Sequence, residues 1–580
     1  MTLLKLKTLP QLILDLAISS LFVLVSMFFL KFALPGGLTI VFFERSYKLL
    51  GTISLLLIII FIILLIITKD FKFKKKFDLP KPKDLLLIAL PMSPIIGYAI
   101  LNIEYLNAFG FLYLIGTTLS FTLIFSFVLP SIFSYFSSFK ILMISGLALS
   151  FTVLTMPSIT ENPNSHIFNS QFLTQGLCLI LSFTIMYLLY SLNKTIAYTI
   201  VIIFMLTGVM GNVLSMINQE DSVKTSTEDR LKIFINNKGN KIIDKRNIYI
   251  IVYESYPNSE TLKFYGYDNR KQLNFLKNNN YTIYNGIYSQ GGASIDSTSR
   301  MLDINGEISK HGRYYLSGNA FGLNIFKENR YRTVALFTSP YFFGSHPITW
   351  DEYYPKGDVS KIGGKIITKA IYEGRFRFDI FDDSYDYGDY LSLKNKYLTA
   401  NPKKPTLFYT HNNLPGHSNN SGKCLPNEKQ KYFKRLNKAN IEMLKDVKSL
   451  KESDPKAIVV LLGDHGPALT KNCKELRDFK ISTIDRHDIQ DRYGTFLAIH
   501  EPDDLTFDGN NIQVIQDIFP AILQNITKNN QVFNELKVER KFFDRFNNRV
   551  GGVNVLDGII IGGMDDGKPL FEKRSYKIKK

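Results

Sequence analysis

The sequence predicts a multi-span α-helical membrane domain followed by an α/β domain, a mainly parallel sheet sandwiched by helices. Three observations carry that expectation. Hydrophobic residues make up 46% of the 580-residue chain and crowd ahead of residue 216. Strand-like and helix-like patterns then alternate to about residue 545, the arrangement of a sheet covered by helices. Two of the strand-like runs stop abruptly at carboxylates.

Apolar stretches lie near 11–33, 49–68, 85–103, 108–133, 139–158, 171–191 and 195–215. Several reach the roughly 20 residues needed to span a bilayer, which gives about seven spans across 1–215, or five. The stretch at 85–103 is interrupted by Pro91 and Pro94. The first stretch is long and has no small-residue cleavage site, so it reads as an anchor. The first 215 residues hold only 14 Lys and Arg and 7 Asp and Glu, too few for a packed soluble domain. Seven lysines between Lys69 and Lys83 mark that loop as cytoplasmic. Lys5, Lys7, Lys140 and Lys194 fall on the same side, whereas Glu104 and the stretch 160–166 lack basic neighbours. Either odd count of spans leaves the chain after residue 216 outside the cytoplasmic membrane.

Residues 216–243 are polar and read as a linker or surface helix, 244–545 as the extracytoplasmic domain, and 546–580 as a turn-rich basic tail with a final hairpin. Strands are expected at 247–253, 332–337, 405–409, 457–462 and 494–499, from β-branched and aromatic content. Between Tyr432 and Leu450, Phe433, Leu436, Met443, Leu444, Val447 and Leu450 recur at helical spacing, an amphipathic helix packing on a sheet. Cys178 falls in an apolar stretch, while Cys424 and Cys473 flank the 457–462 strand and could form a disulfide outside the cell. The net charge of +18 splits into +7 before residue 216 and +11 after it. A basic domain beside a bilayer favours anionic head groups or phosphorylated glycans. With no nucleic-acid motif, nucleic acid is excluded as a partner.

The chemistry-bearing residues follow from strand ends. Ligands of open α/β sheets bind beyond the carboxyl ends of the strands. There the run Val459–Leu462 meets Gly463-Asp464-His465-Gly466-Pro467, offering an oxygen and a nitrogen suited to zinc or manganese; the same residues would also serve as a strand-to-loop turn. The strand 247–253 runs straight into Glu254 and Ser255, and a carboxylate there is costly to bury unless it is paired or binds a cation. Between them, Gly291-Gly292-Ala293-Ser294 reads either as a turn presenting a hydroxyl nucleophile or as a plain helix N-cap.

Taken together, Glu254, the Gly-Gly-Ala-Ser294 turn and Asp464-His465 resemble the alkaline phosphatase/sulfatase superfamily. More narrowly, the chain resembles its membrane-anchored branch of phosphoethanolamine transferases and lipoteichoic-acid-synthase-type phosphoglycerol transferases. The resemblance covers roughly 244–545 and implies a sulfatase-like domain. It implies one divalent metal ion, zinc or manganese, held by Glu254, Ser294, Asp464 and His465, with Ser294 (where the branch has Thr) as nucleophile. It further implies that His417, in Thr410-His411-Asn412-Asn413-Leu414-Pro415-Gly416-His417, contacts the phosphate or a second metal, and in the implied reaction it would carry a proton. His487 stands about twenty residues past Asp464-His465, where some relatives place another site His. Trp350, in Gly344-Ser345-His346-Pro347-Ile348-Thr349-Trp350, is a candidate wall of the head-group pocket, or else packs on its own domain. The implied reaction moves a phosphoglycerol or phosphoethanolamine group from a membrane phospholipid to a surface glycan or lipopolysaccharide, at the inner (cytoplasmic) membrane of a bacterium. Two other classes stand beside it: a sulfatase or phosphodiesterase, and a non-catalytic membrane protein. Ser294-Ile295-Asp296-Ser297-Thr298 lacks the Cys/Ser-x-Pro-x-Arg pattern of sulfatases.

Overall fold

The structure is a computed structural model that describes residues 13–26, parts of 52–66, 77–101, 108–135, 137–160, 171–306, 311–343, 346–356, 386–418, 427–470, 483–505, 507–538, 554–556 and 559–561. These residues fall into two compact units that divide between Ser222 and Val223. Cys424, Cys473 and the lysines at 69–76 lie outside the described residues.

The amino-terminal unit is helical, with helices at Ala89–Leu101, Ala108–Leu123, Phe139–Thr160 and Gln171–Leu192. The stretch Leu114–Phe133 is long and apolar enough to cross a membrane; Ile13–Ser26, Phe139–Thr152, Gly176–Ser191 and Lys194–Thr207 are shorter apolar helices. Gly146 allows two of them to touch backbone to backbone, since a Cβ there would lie 2.0 Å from the Phe125 carbonyl. Ile180, Leu181, Ile185 and Leu188 face outward along Gln171–Leu192 and are each at least half exposed, a run of apolar surface unlike that of a water-soluble domain. Lys194–Asn236 is one helix of 43 residues, so the polar segment from residue 216 is helical as far as Asn236.

The second unit is built on seven strands: β1 (Ile248–Tyr253), β2 (Tyr281–Ile283), β3 (Arg332–Phe337), β4 (Glu352–Tyr354), β5 (Thr406–Asn412), β6 (Ile458–Gly463) and β7 (Leu497–His500). Their order is β2-β7-β6-β1-β5-β3-β4. The pairings from β6 through β4 are parallel, while β7 runs antiparallel to both β6 and β2. The sheet is therefore parallel at its centre and mixed at one edge. β1, β5 and β6 are buried along their whole length, as expected of strands covered on both faces. Alternate residues feed two cores: Ile248, Ile250 and Val252 join one, and Tyr249, Ile251 and Tyr253 the other.

Helices cover both faces. The second face carries α1 (Ser259–Phe264). The first carries α2 (Ser294–Asp303), which buries Ile295, Met301 and Leu302. α3 (Glu428–Ser453) lies on the second face and buries Tyr432, Leu436, Ala439, Met443, Val447 and Leu450. That stripe follows the expected helix except that Tyr432 takes the inward place given to Phe433, and that Phe433 and Leu444 are only partly buried. α4 (Arg486–Tyr493) precedes β7. Near the end of the chain, β8 (Asn554–Leu556) and β9 (Ile559–Ile561) pair antiparallel, in the stretch where a hairpin was expected.

One glycine fixes how β6 ends. A Cβ on Gly463 would lie 2.0 Å from the Tyr256 carbonyl and 2.6 Å from Thr495 Oγ1. Overpacking of this kind typically costs about 1–3 kcal/mol, so Gly463→Ala should lower the apparent Tm of the purified full-length chain by several degrees. An unchanged Tm would show that the close approach of the 254–256 turn to β6 is not a constraint on the fold.

Candidate functional site

Glu254 and Asp464 stand at the carboxyl ends of neighbouring strands because Tyr253 pairs with Gly463 on one side and with Asn412 on the other. Both carboxylates are buried. Asp464 Oδ1 accepts the amides of Ser255 (2.7 Å) and His465 (3.0 Å). Ser255 adopts a left-handed backbone, φ +57°, uncommon for a residue with a side chain. It is held there by that bond and by the Tyr432 hydroxyl, which donates to its carbonyl (2.9 Å). Asp464 Oδ2 has no hydrogen-bond partner among the described residues; it lies 3.5 Å from His465 Nε2 and 3.5 Å from His411 Nε2, which is likewise unsatisfied.

Ser294 opens α2. The helix is capped by Ala293 without a side-chain bond, so the Ser294 hydroxyl is not spent as an N-cap. It lies 3.2 Å from His465 Nε2. The Nδ1 of that ring is 2.8 Å from the Gly466 carbonyl, so in the neutral ring Nδ1 carries the proton and Nε2 presents its lone pair. Two glycines let the turn come this close: a Cβ on Gly291 would meet Ser297 N at 2.6 Å, and one on Gly292 would meet Arg492 Nε at 2.5 Å. α2 is locked by a buried ion pair, Arg300 to Asp296 at 2.9 Å. Ser297 Oγ donates to the Asp464 carbonyl at 2.5 Å, tying α2 directly to the Asp-His loop.

Charges in this pocket depend on one another. Burial raises Glu254 well above the usual carboxylate range, and the adjacent Asp464 raises it further, with Arg435 opposing. Asp464 would also be raised by burial, but His465, His411 and the Ser255 amide outweigh that and hold it well below. Burial brings His465 down to about 4 despite Asp464, leaving it neutral at pH 7. An ionised Asp464 Oδ2 and the His465 lone pair thus face each other across 3.5 Å, two donors to a cation. No three His, Cys, Asp or Glu side chains among the described residues are grouped closely enough to hold a metal as they stand. The donor types nonetheless fit a hard or borderline divalent ion: carboxylate oxygens from Glu254 and Asp464, the Ser294 hydroxyl and an imidazole.

Other candidates fall in different places. His417 is half-exposed, its Nε2 3.9 Å from Glu254 Oε1, with Nδ1 engaged by the Ser418 carbonyl at 2.6 Å. Arg435 holds this loop through the Pro415 and His417 carbonyls (2.7 and 3.0 Å). His487 stacks on Phe264, ring centroids 3.8 Å apart. Trp350 is buried, donates its indole N–H to the Leu316 carbonyl at 2.7 Å and packs on Tyr409. Among the described residues no hydrogen bond or ion pair joins His487 or Trp350 to Asp464 or His465. His411 is brought to Asp464 although it belongs to β5 itself rather than to the loop; its alternation with Tyr409 was the available signal.

The helix that carries His487 reaches the Asp-His loop through other residues. The Gly466 amide donates to the Arg492 carbonyl (3.0 Å) and the Ala468 amide to the Asp491 carbonyl (3.1 Å). The Asp491 carboxylate accepts the amides of Leu469 (2.9 Å) and Thr470 (3.0 Å), and the hydroxyls of Thr470 and Tyr265.

The second unit is an α/β domain with Glu254, Ser294, Asp464 and His465 gathered at the carboxyl ends of its central strands. No family model matches the chain, and no curated protein does. Among solved structures, the C-terminal periplasmic domain of EptC from Escherichia coli is similar at 14% identity, with 53% of this chain and 92% of that one covered and a TM-score of 0.36. The integral membrane protein lipooligosaccharide phosphoethanolamine transferase A from Neisseria meningitidis is similar at 12% identity, with 79% and 98% covered and a TM-score of 0.36. The lipoteichoic acid synthase LtaP from Listeria monocytogenes is similar at 16% identity, with 50% and 74% covered and a TM-score of 0.33. Likeness at this level does not fix an activity, which has to come from the site's own residues.

Asp491 gives a pH test of the loop. Burial raises its carboxyl to about 7, against the pull of the Leu469 and Thr470 amides and Arg492. A carboxyl whose folded pKa exceeds its unfolded value of about 3.9 contributes stability that is full below that pH and lost as pH rises through about 7. Asp491→Asn cannot ionise, so its Tm relative to the parent should rise between pH 4 and pH 8, on top of a constant offset for the altered hydrogen bonds. A pH-independent difference would show that Asp491 is not raised.

Proposed function

We propose that the chain is a metal-dependent phosphotransferase of the alkaline phosphatase/sulfatase superfamily. It moves a phosphoglycerol or phosphoethanolamine head group from a membrane phospholipid to an extracytoplasmic glycan or lipopolysaccharide. One observation carries this reading: a buried strand-end carboxylate oxygen, Asp464 Oδ2, and the unprotonated His465 Nε2 converge beside the unspent hydroxyl of Ser294. Zinc or manganese held by Glu254, Asp464, His465 and Ser294 would supply Lewis acidity, lowering the hydroxyl's pKa and neutralising phosphate charge.

The chain's own residues divide the remaining work. Ser294 Oγ attacks phosphorus, the bond from phosphorus to the glyceride oxygen breaks, and that oxygen leaves as diacylglycerol after taking a proton. A glycan hydroxyl then attacks the same phosphorus and displaces Ser294 Oγ. His417, half-exposed with its Nδ1 side engaged by Ser418, keeps Nε2 available to shuttle the proton in both halves. Arg435 and Tyr432 hold the loops that bear His417 and Ser255. The outward apolar residues of the first unit support a multi-pass anchor in the cytoplasmic membrane, with the site on its outer side next to the lipid donor.

The purified full-length chain, supplied with labelled phosphatidylglycerol or phosphatidylethanolamine, should release diacylglycerol and gain the mass of one phospho-alcohol on Ser294. Ser294→Ala should lose turnover by at least about 10³-fold, as expected on removing a nucleophile, while keeping its bound metal. Turnover with water alone as acceptor would favour a hydrolase. A chain that binds no metal and is indifferent to Ser294→Ala is not an enzyme of this kind.

A further inference from the structure

Arg492 is half-buried, and its guanidinium has no hydrogen-bond or ion-pair partner among the described residues. Its neighbours differ in this respect. Arg300 is taken up by Asp296 and the Gln290 carbonyl, Arg435 by Pro415 and His417, and Arg486 by Glu260. Neither Glu254 nor Asp464 pairs with Arg492, close as the site is in the fold. A guanidinium partly withdrawn from water and without a partner is disposed to take up an anion.

The geometry places that anion. The Arg492 backbone is pinned to the Asp-His-Gly loop by the Gly466 amide (3.0 Å). From there the side chain runs along Gly292, where a Cβ would stand 2.5 Å from Nε and 3.3 Å from both Cγ and Cδ. Gly292 lies two residues before Ser294, whose hydroxyl is 3.2 Å from His465 Nε2. Any side chain at residue 292 would push Arg492 off the turn.

We propose that Arg492 is a substrate-binding residue that grips the non-bridging oxygens of a phosphate ester poised at Ser294. A guanidinium suits this role because its planar fork matches two phosphate oxygens at once. The inference rests on the transferase reading for its substrate, but not for its ligand chemistry.

The test uses the metal-loaded full-length chain, titrated with inorganic phosphate by calorimetry and assayed with phosphatidylglycerol and phosphatidylethanolamine. Arg492→Gln should weaken phosphate binding and lower kcat/KM by about 10- to 100-fold, the worth of a charge-assisted hydrogen bond. Metal content and Tm should hold, since only the backbone of Arg492 ties the loop. Should the Gln variant fail to fold, Arg492→Lys carries the test: with the charge kept and the fork lost, it should bind phosphate several-fold more weakly. Parent-like phosphate binding in Arg492→Gln, or in Arg492→Lys where Gln does not fold, would overturn the assignment. If the parent turns over neither lipid and phosphate binding still depends on Arg492, the transferase reading fails and this one stands.

Discussion

Two carboxylates buried side by side set the terms for the rest of the second unit. β1 lies between β5 and β6, and in register the strands deliver Glu254 and Asp464 to adjoining ends. Water cannot screen them there, and their mutual repulsion in a low-dielectric pocket must be met by protons, hydrogen bonds or a cation. Asp464 Oδ1 is satisfied by two amides. Its other oxygen is not, and that remaining lone pair is where a cation would do most to stabilise the pair.

Much of the surrounding structure holds these ends in place. Gly463, Gly466, Gly291 and Gly292 are positions where a Cβ would strike a backbone atom or a neighbouring side chain. At those points backbones approach more closely than side chains permit. α2 is tied to the Asp464 carbonyl by Ser297, α3 to the Ser255 carbonyl by Tyr432, and α4 to the Gly466 amide through the Arg492 carbonyl. Helices from both faces of the sheet thus converge on the ends of β1 and β6, and the left-handed Ser255 is held by one of those contacts, from Tyr432, together with Asp464 Oδ1.

Where a strong local pattern exists, the sequence shows it. β1, β3, β5 and β6 are apolar runs ending at polar residues, and their placement follows to within a residue or two at most ends. Ser294, Asp464, His465 and Glu254 are legible because each sits at a strand end or a Gly-rich turn. His411 is harder to see, since a histidine within a strand reads as packing and only the pairing of β5 with β1 brings it to Asp464. Arg492 has no local signature: it follows Asp464 by 28 residues, and α4 must fold back before its side chain meets Gly292. At the start of the α3 stripe Tyr432 rather than Phe433 is buried, and its hydroxyl reaches the Ser255 carbonyl, a contact no periodicity reports. The antiparallel direction of β7, between β6 and the edge strand β2, is likewise a matter of tertiary pairing, which periodicity does not report.

The central claim is that Asp464 Oδ2, His465 Nε2, Glu254 and Ser294 Oγ form the cradle of one divalent cation. X-ray absorption at the metal edge of the zinc- or manganese-loaded full-length chain tests it most directly. The account predicts one metal per chain with a single imidazole nitrogen and otherwise oxygen ligands, and loss of that signal in Asp464→Asn. A metal ligated by two or more imidazoles, or one retained unchanged in Asp464→Asn, would contradict it.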